Sequence, residues 1–488
     1  MPTPIDKAGT IPEGSTERWK DKKRYLWLIA LVMPSLAFAA LGLHALTGWG
    51  LWLWIGPIVI LGIVPVIDLM TGLDRSNPPD DLITALEGDK YYRWITYLFL
   101  PLQYAGFVTV FWFLAHGNLS VIDKVGLALT IGVIGGIGIN TAHELGHKKE
   151  SLERWLSKIA LAPSFYGHFY IEHNHGHHSR VATPQDPASS RVGESFYRFW
   201  PRTVLGSLTS AWRLEKRRFA RRGQHPFRIG NDVLNAWLMS VVLWGVVLVW
   251  LGIGVLPYLA LQAVIAFTLL EAVNYLEHYG MLRQRVGAPG HERYERVAPS
   301  HSWNSNNIAT NVLLYHLQRH SDHHANPTRR YQTLRDYQES PVLPTGYAGM
   351  ILVALFPPAW RRVMDPRVLT HFGQDISRAN IQPRRRSEVL ARYAPPMVSP
   401  GADPAALATL AAHPTDEASP QLAETSPATS THGGRCPGCD YVYLEAVGDP
   451  REGFPAGTPW SAVPDRWCCP DCGVREKVDF IVTGPLRA

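Results

Sequence analysis

Residues Tyr25 to Ile67 read YLWLIALVMPSLAFAALGLHALTGWGLWLWIGPIVILGIVPVI, 43 positions without an Asp, Glu, Lys or Arg. A helix that crosses the hydrocarbon core of a bilayer needs about 20 mostly apolar residues. The run therefore holds two spans, over 25–46 and 51–72, joined at Thr47-Gly48-Trp49-Gly50. Two further charge-free stretches, Trp94 to Ile122 and Val233 to Leu270, extend the pattern. They place a third span at 94–115, a fifth at 233–253 and a sixth at 257–277; a fourth fits 122–142, between the two stretches. The fourth carries Gly132, Gly135, Gly136 and Gly138, small residues that let helix backbones approach closely inside a membrane bundle. The whole-chain mean hydropathy is near zero only because polar segments offset these runs. Disorder, a collagen-like fibre and a purely soluble enzyme are excluded for this 488-residue chain.

The net charge of +6 says less than its placement. Lys20, Lys22, Lys23 and Arg24 precede the first span and orient the N-terminus to the cytoplasm. The ends of spans two, four and six then face the cytoplasm as well. Tyr347 to Phe356 is apolar but too short to cross, and reads as a re-entrant or interfacial element. Residues 399–434 are rich in Ala, Pro, Ser and Thr, the composition of a disordered linker. All five cysteines follow it, which argues against a disulfide framework and for metal binding in a reducing compartment. The chain divides into a membrane domain (1–398), a linker (399–434) and a small module (435–488).

Nine of the 20 histidines are clustered. His143-Glu144-Leu145-Gly146-His147 sets two imidazoles at i, i+4, on one face of a helix. Glu172-His173-Asn174-His175-Gly176-His177-His178 repeats that spacing at His173 and His177 and adds His178. His278 ends the segment Asn274-Tyr275-Leu276-Glu277-His278 at the cytoplasmic end of span six. His320-Ser321-Asp322-His323-His324 supplies i+3 and i+4 pairs. Nine imidazoles are too many for one metal ion and enough for two. Isolated histidines such as His44, His116 and His225 read as surface or core residues. His168, His175, His301 and His316 read as structural or supporting. The first box also matches the HExxH pattern of zinc proteases, with Glu144 as general base, but that reading leaves six clustered histidines without a role.

Imidazole suits iron, copper and zinc alike. In the tail, Cys436-Pro437-Gly438-Cys439 and Cys469-Pro470-Asp471-Cys472 form two CPxC pairs, four thiolates suited to a tetrahedral iron or zinc site. The Pro-Gly and Pro-Asp knuckles favour iron over a zinc ribbon. So do the nearby aromatics Tyr441, Tyr443, Phe454, Trp460, Trp467 and Phe480. Cys468 is the spare thiol.

These motifs resemble two families. From roughly 21 to 394 the chain is similar to the bacterial integral-membrane alkane 1-monooxygenases, relatives of the membrane fatty-acid desaturases and hydroxylases. Three histidine boxes are common to membrane di-iron enzymes, and the one ending at His278 marks the alkane-hydroxylating branch. The tail, 432–485, resembles rubredoxin, usually a separate chain. The resemblance implies an all-α polytopic membrane bundle of six transmembrane helices with a cytoplasmic histidine-rich cap, plus a small rubredoxin-like iron-binding β domain. It implies a di-iron centre on the nine histidines and one iron on Cys436, Cys439, Cys469 and Cys472. The implied activity is O2-dependent terminal hydroxylation of n-alkanes to primary alcohols at the inner membrane. Electrons would pass from an NAD(P)H-dependent flavoprotein rubredoxin reductase through the tail. Another membrane di-iron oxygenase, a desaturase or an aryl-methyl hydroxylase, is the alternative.

Neutral imidazoles leave the charge of two ferrous ions uncancelled. Asp186, Glu144, Glu172, Glu277 and Asp322 are therefore candidates to accept ring N–H bonds and orient the ligands. Ile60, Val64 and Asp68, at i, i+4, i+8 in span two, are candidate substrate-channel walls. An acid inside a span, as at Asp68, is harder to dismiss as ordinary helix packing than Ile60 or Val64.

Overall fold

A computed structural model describes residues 19–287, 292–393, 432–437, 441–465, 467–470 and 474–483. The expected linker falls almost wholly outside the described residues, as do Cys439 and Cys472. Among the described residues, six helices are long and apolar enough to cross a membrane: Leu26–Thr47, Gly50–Thr71, Lys90–His116, Val121–Gly146, Asp232–Leu251 and Ile253–His278. The third begins before the charge-free run because Asp89 caps it, accepting a hydrogen bond from the Tyr91 N–H at 2.9 Å. The fourth continues past its apolar stretch to Gly146, so His143 sits on its last turn.

That fourth helix is the centre of the bundle. Its most apolar window is 83% buried, against 22–44% in the other five. Glycine makes this possible. A Cβ on Gly132 would stand 2.9 Å from the Gln262 carbonyl oxygen and from Ile265 Cβ on the sixth span, so only a bare backbone admits that approach.

Helix Phe196–Ala220 is 25 residues long, but Arg198, Arg202, Arg213, Lys216, Arg217 and Arg218 bar it from hydrocarbon. It lies against the sixth span and the second histidine segment. The apolar element foreseen at 347–356 is the helix Tyr347–Ala354, packed inward against the second and sixth spans. Tyr347, Met350 and Ala354 are fully buried there.

The tail is a separate small unit. Val442–Leu444, Gly433–Arg435 and Ile481–Thr483 form a three-stranded antiparallel sheet in that order. Its first strand thus begins at the end of the stretch assigned to the linker. Tyr443, Trp467 and Phe480 form its core with Cys436 and Cys469, and Tyr441, Phe454 and Trp460 pack on the outside.

Candidate metal centre

The structure brings all nine clustered histidines together in two buried sets. His143, His147, His173, His178 and His323 form one; His177, His278, His320 and His324 form the other. Within each set the offered ligand atoms lie within 4.8 Å of one another. The helix period explains part of this partition. His143 and His147 share a face of the fourth span, and His320 and His324 share a face of the short helix His320–Ala325. His323 points to the other set.

The second histidine segment departs from the expected i, i+4 pairing. Glu172–His177 is a π-helical turn, whose i→i+5 repeat brings His178 back over His173, with Nε2 atoms 3.1 Å apart. His177 is thereby rotated into the four-histidine set, 3.2 Å from His324. π-turns of this kind concentrate at functional sites.

Six contacts of 2.8–3.3 Å join Nε2 atoms of these rings to one another. Burial, reinforced by the neighbouring imidazoles, drives His147, His173, His178, His320, His323 and His324 well below the ordinary imidazole value. These rings are neutral and converge their lone pairs, the state in which imidazole binds metal. His147 Nε2 is buried without a hydrogen-bond partner, as a ligand nitrogen awaiting a cation would be. The donor set fits two transition-metal ions.

The five acids divide sharply. Asp186 Oδ2 lies 2.9 Å from His177 Nδ1 and also accepts from the Ser189 hydroxyl at 2.7 Å. Burial alone would raise its carboxyl, yet His177 and Ser189 hold it far below the usual carboxylate range. Glu277 Oε2 approaches His320 Nε2 at 3.1 Å. The other three acids bind cations or backbone. Glu144 faces Lys148 Nζ at 2.9 Å and the Tyr331 N–H at 3.3 Å, an engagement that leaves no general base for zinc-protease chemistry. Glu172 accepts from Arg180 at 2.7 Å, and burial pushes its carboxyl up to about 8. Asp322 binds Arg329 at 2.9 Å and the Arg335 N–H at 2.8 Å, fastening the loop that follows.

A narrow apolar cavity opens beside the histidines. Ile60, Ile137, Leu269, Leu270 and Ile351 line it, with His143, His173 and His320 at its polar end. Of the three residues singled out on the second span, Ile60 borders this space. Val64 is buried in the core. Asp68 accepts hydrogen bonds from the Thr310 N–H at 2.9 Å and from the Thr310 hydroxyl, tying the short helix Ile308–Leu313 to the span. Phe169 also lines the cavity and stacks on His173 with ring centroids 4.8 Å apart. Its i−4 spacing from a ligand was the available signal for it. Tyr347 and Thr310 reach the cavity from short helices far away in sequence, which no local spacing marks.

The tail rests on the histidine end of the bundle. Arg221 pairs with Asp479 at 3.0 Å, Arg222 with Asp465 at 4.0 Å, and Lys149 with Glu452. One cleft at this seam joins His147 to Trp467, Cys468 and Cys469. A second joins His178 and His324 to Pro437 and Val474. Among the described residues of the tail, Pro437, Trp467, Cys468, Cys469 and Val474 thus share these clefts with the histidines.

Residues 124–388 match the Fatty acid desaturase family and residues 434–480 match Rubredoxin. Fold, histidine sets and tail together define a membrane-embedded, iron-binding oxidoreductase of the desaturase class with a rubredoxin domain. Within that class the chain belongs to the alkane 1-monooxygenase family. It is 44% identical to alkane 1-monooxygenase 1 of Alcanivorax borkumensis over 374 residues, covering 77% of this chain and 92% of the relative. It is 47% identical to alkane 1-monooxygenase of Acinetobacter baylyi over 381 residues, 76% of this chain and 91% of the relative. Similarity to the xylene/toluene monooxygenase hydroxylase component of Pseudomonas putida is lower, 26% over 329 residues, 66% of this chain and 84% of the relative.

Proposed function

We propose that the chain hydroxylates n-alkanes at the terminal carbon, using O2 at a di-iron centre and releasing primary alcohols. The observation that carries this reading is the pair of buried all-histidine sets at the end of an apolar cavity. His143, His147, His173, His178 and His323 would hold one iron, and His177, His278, His320 and His324 the other. An unactivated C–H bond offers no handle for acid–base or nucleophilic attack, so bound iron supplies the activation of O2.

The chain's own residues orient and seclude. Asp186 fixes the tautomer and direction of His177 through Nδ1, leaving Nε2 free to face inward. Ile60, Ile137, Leu269, Leu270 and Ile351 exclude water and admit only an apolar chain, its end directed toward His143, His173 and His320. An alkane partitions into lipid, so a route between helices needs no aqueous mouth. Asp68 belongs to the scaffold in this account rather than to the channel.

The tail would hold a third iron on Cys436, Cys439, Cys469 and Cys472 and pass on electrons from an NAD(P)H-dependent flavoprotein rubredoxin reductase. Its seat over the histidines supports that role. The basic run Lys20 to Arg24 supports an inner-membrane topology with the N-terminus and tail on the cytoplasmic side. The test is product analysis with purified full-length protein, reductase, NAD(P)H and a mixture of n-alkanes. Primary alcohols are expected. An alkene, or a benzylic alcohol formed in preference from an added methylarene, would instead place the chain with the desaturases or aryl-methyl hydroxylases.

A further inference from the structure

Besides its ion pairs, the seam between tail and membrane domain contains, among the described residues, a hydrogen bond from the histidine π-turn to the tail. His175 Nδ1 stands 3.4 Å from the Val474 carbonyl oxygen. His175 is half-buried in the π-turn, two positions from His173 on one side and from His177 on the other. It therefore lies near a member of each histidine set along the chain. Val474 follows the second cysteine knuckle, and the Cys469 N–H donates to the carbonyl of the next residue, Arg475, at 2.7 Å. A continuous path of covalent and hydrogen bonds thus runs from Cys469 through Arg475 and Val474 to His175, and onward to His173 and His177. His175 also borders the cleft that holds Trp467 and Cys469 and another beside Arg475 and Asp479. Electronic coupling decays far more slowly through such bonded paths than across a gap.

We propose that His175 is the positioning residue for electron entry, holding the second cysteine knuckle against the histidine centre. The proposal rests on the reading of the tail as electron donor. In each passage one electron leaves the ferrous thiolate-bound iron, which becomes ferric, and reduces one ferric ion of the histidine sets to ferrous. No bond or proton at His175 changes. Two passages serve each alkane, with NAD(P)H and the flavoprotein as the source.

The test follows the redox state of the tail in full-length protein during turnover with reductase, NAD(P)H, O2 and dodecane. Visible absorption of the ferric tetrathiolate reports it. A block after the tail makes the tail accumulate in its reduced form. With His175→Ala, alcohol formation should slow roughly fivefold to tenfold, the factor expected for losing one interfacial hydrogen bond. The reduced fraction of the tail should rise. His175→Asn, whose amide nitrogen can replace Nδ1, should restore both. Iron content should be unchanged in both variants. The proposal is overturned if His175→Ala matches the wild type in rate and tail redox state, or if it loses histidine-bound iron. If wild-type tail iron is never reoxidised in the presence of alkane and O2, the donor role itself fails, a result distinct from either.

Discussion

Replacing Asp186 by Asn should loosen one iron of the histidine centre while leaving the tail's iron in place. Asp186 is 1% exposed, and its carboxylate serves three donors: His177 Nδ1 at 2.9 Å, the Ser189 hydroxyl at 2.7 Å and the Ala188 N–H at 3.1 Å. An amide keeps the shape but offers one oxygen and turns an N–H2 group toward donors. The charge-assisted bond to His177 is lost, a change of about 1.5–3 kcal/mol for a hydrogen bond to a charged group. Expressed as metal affinity, removal of such an outer partner lowers binding by about 10–100-fold. His177 belongs to the four-histidine set, so that set should empty first. The assay is a chelator challenge of purified protein, with total iron measured over time. The tetrathiolate absorption serves as an internal reference for the tail. Unchanged iron content and release half-time in Asp186→Asn would refute the reasoning.

Other perturbations have equally definite outcomes. Asp68→Ala strands two buried donors of Thr310 and should destabilise the protein by about 2–4 kcal/mol, read as a fall in the detergent melting temperature; an unchanged value would return Asp68 to the channel wall. Gly132→Leu should prevent folding or strongly lower yield, because the backbone of the sixth span stands where its Cβ would be. Charge reversal at Arg221, or added salt, should weaken seating of the tail by no more than about 1 kcal/mol per pair, visible as slower turnover with unchanged iron content. Burial lowers His168 and His371 to about 4, against 6.5 in an unfolded chain. Both are neutral in the fold, so the stability they contribute is complete above about pH 6.5 and is lost as pH falls toward 4; melting curves across that window check it.

The membrane architecture was legible because hydrocarbon tolerates so little charge. Three uninterrupted runs located five of the six helices, and the errors fell where polar residues are carried on capped helix ends, as at Lys90 and Gly146. The nine histidines were equally legible, since their spacing is local. Their division into five and four was not. It depends on a π-turn that reassigns His177 and His178, and the sequence of that turn does not distinguish i→i+4 from i→i+5 hydrogen bonding. The division among the acids was not legible for a related reason. Glu144 adjoins His143 while Asp186 lies eight positions from His178, yet the packing of the chain sets Asp186 against an imidazole and Glu144 against Lys148. Asp68 was read as a channel wall, and its hydrogen-bond partner, Thr310, lies 242 positions away, beyond the reach of any local pattern.

The central claim is that two buried histidine sets direct oxygen from O2 to the end of an apolar chain. Its most direct measurement uses purified full-length protein with reductase, NAD(P)H, dodecane and isotope-labelled O2, analysed by mass spectrometry. The account predicts 1-dodecanol carrying one labelled oxygen atom, and no such product from His278→Ala despite an intact tail spectrum. Unlabelled alcohol, dodecene, or full activity in His278→Ala would contradict it.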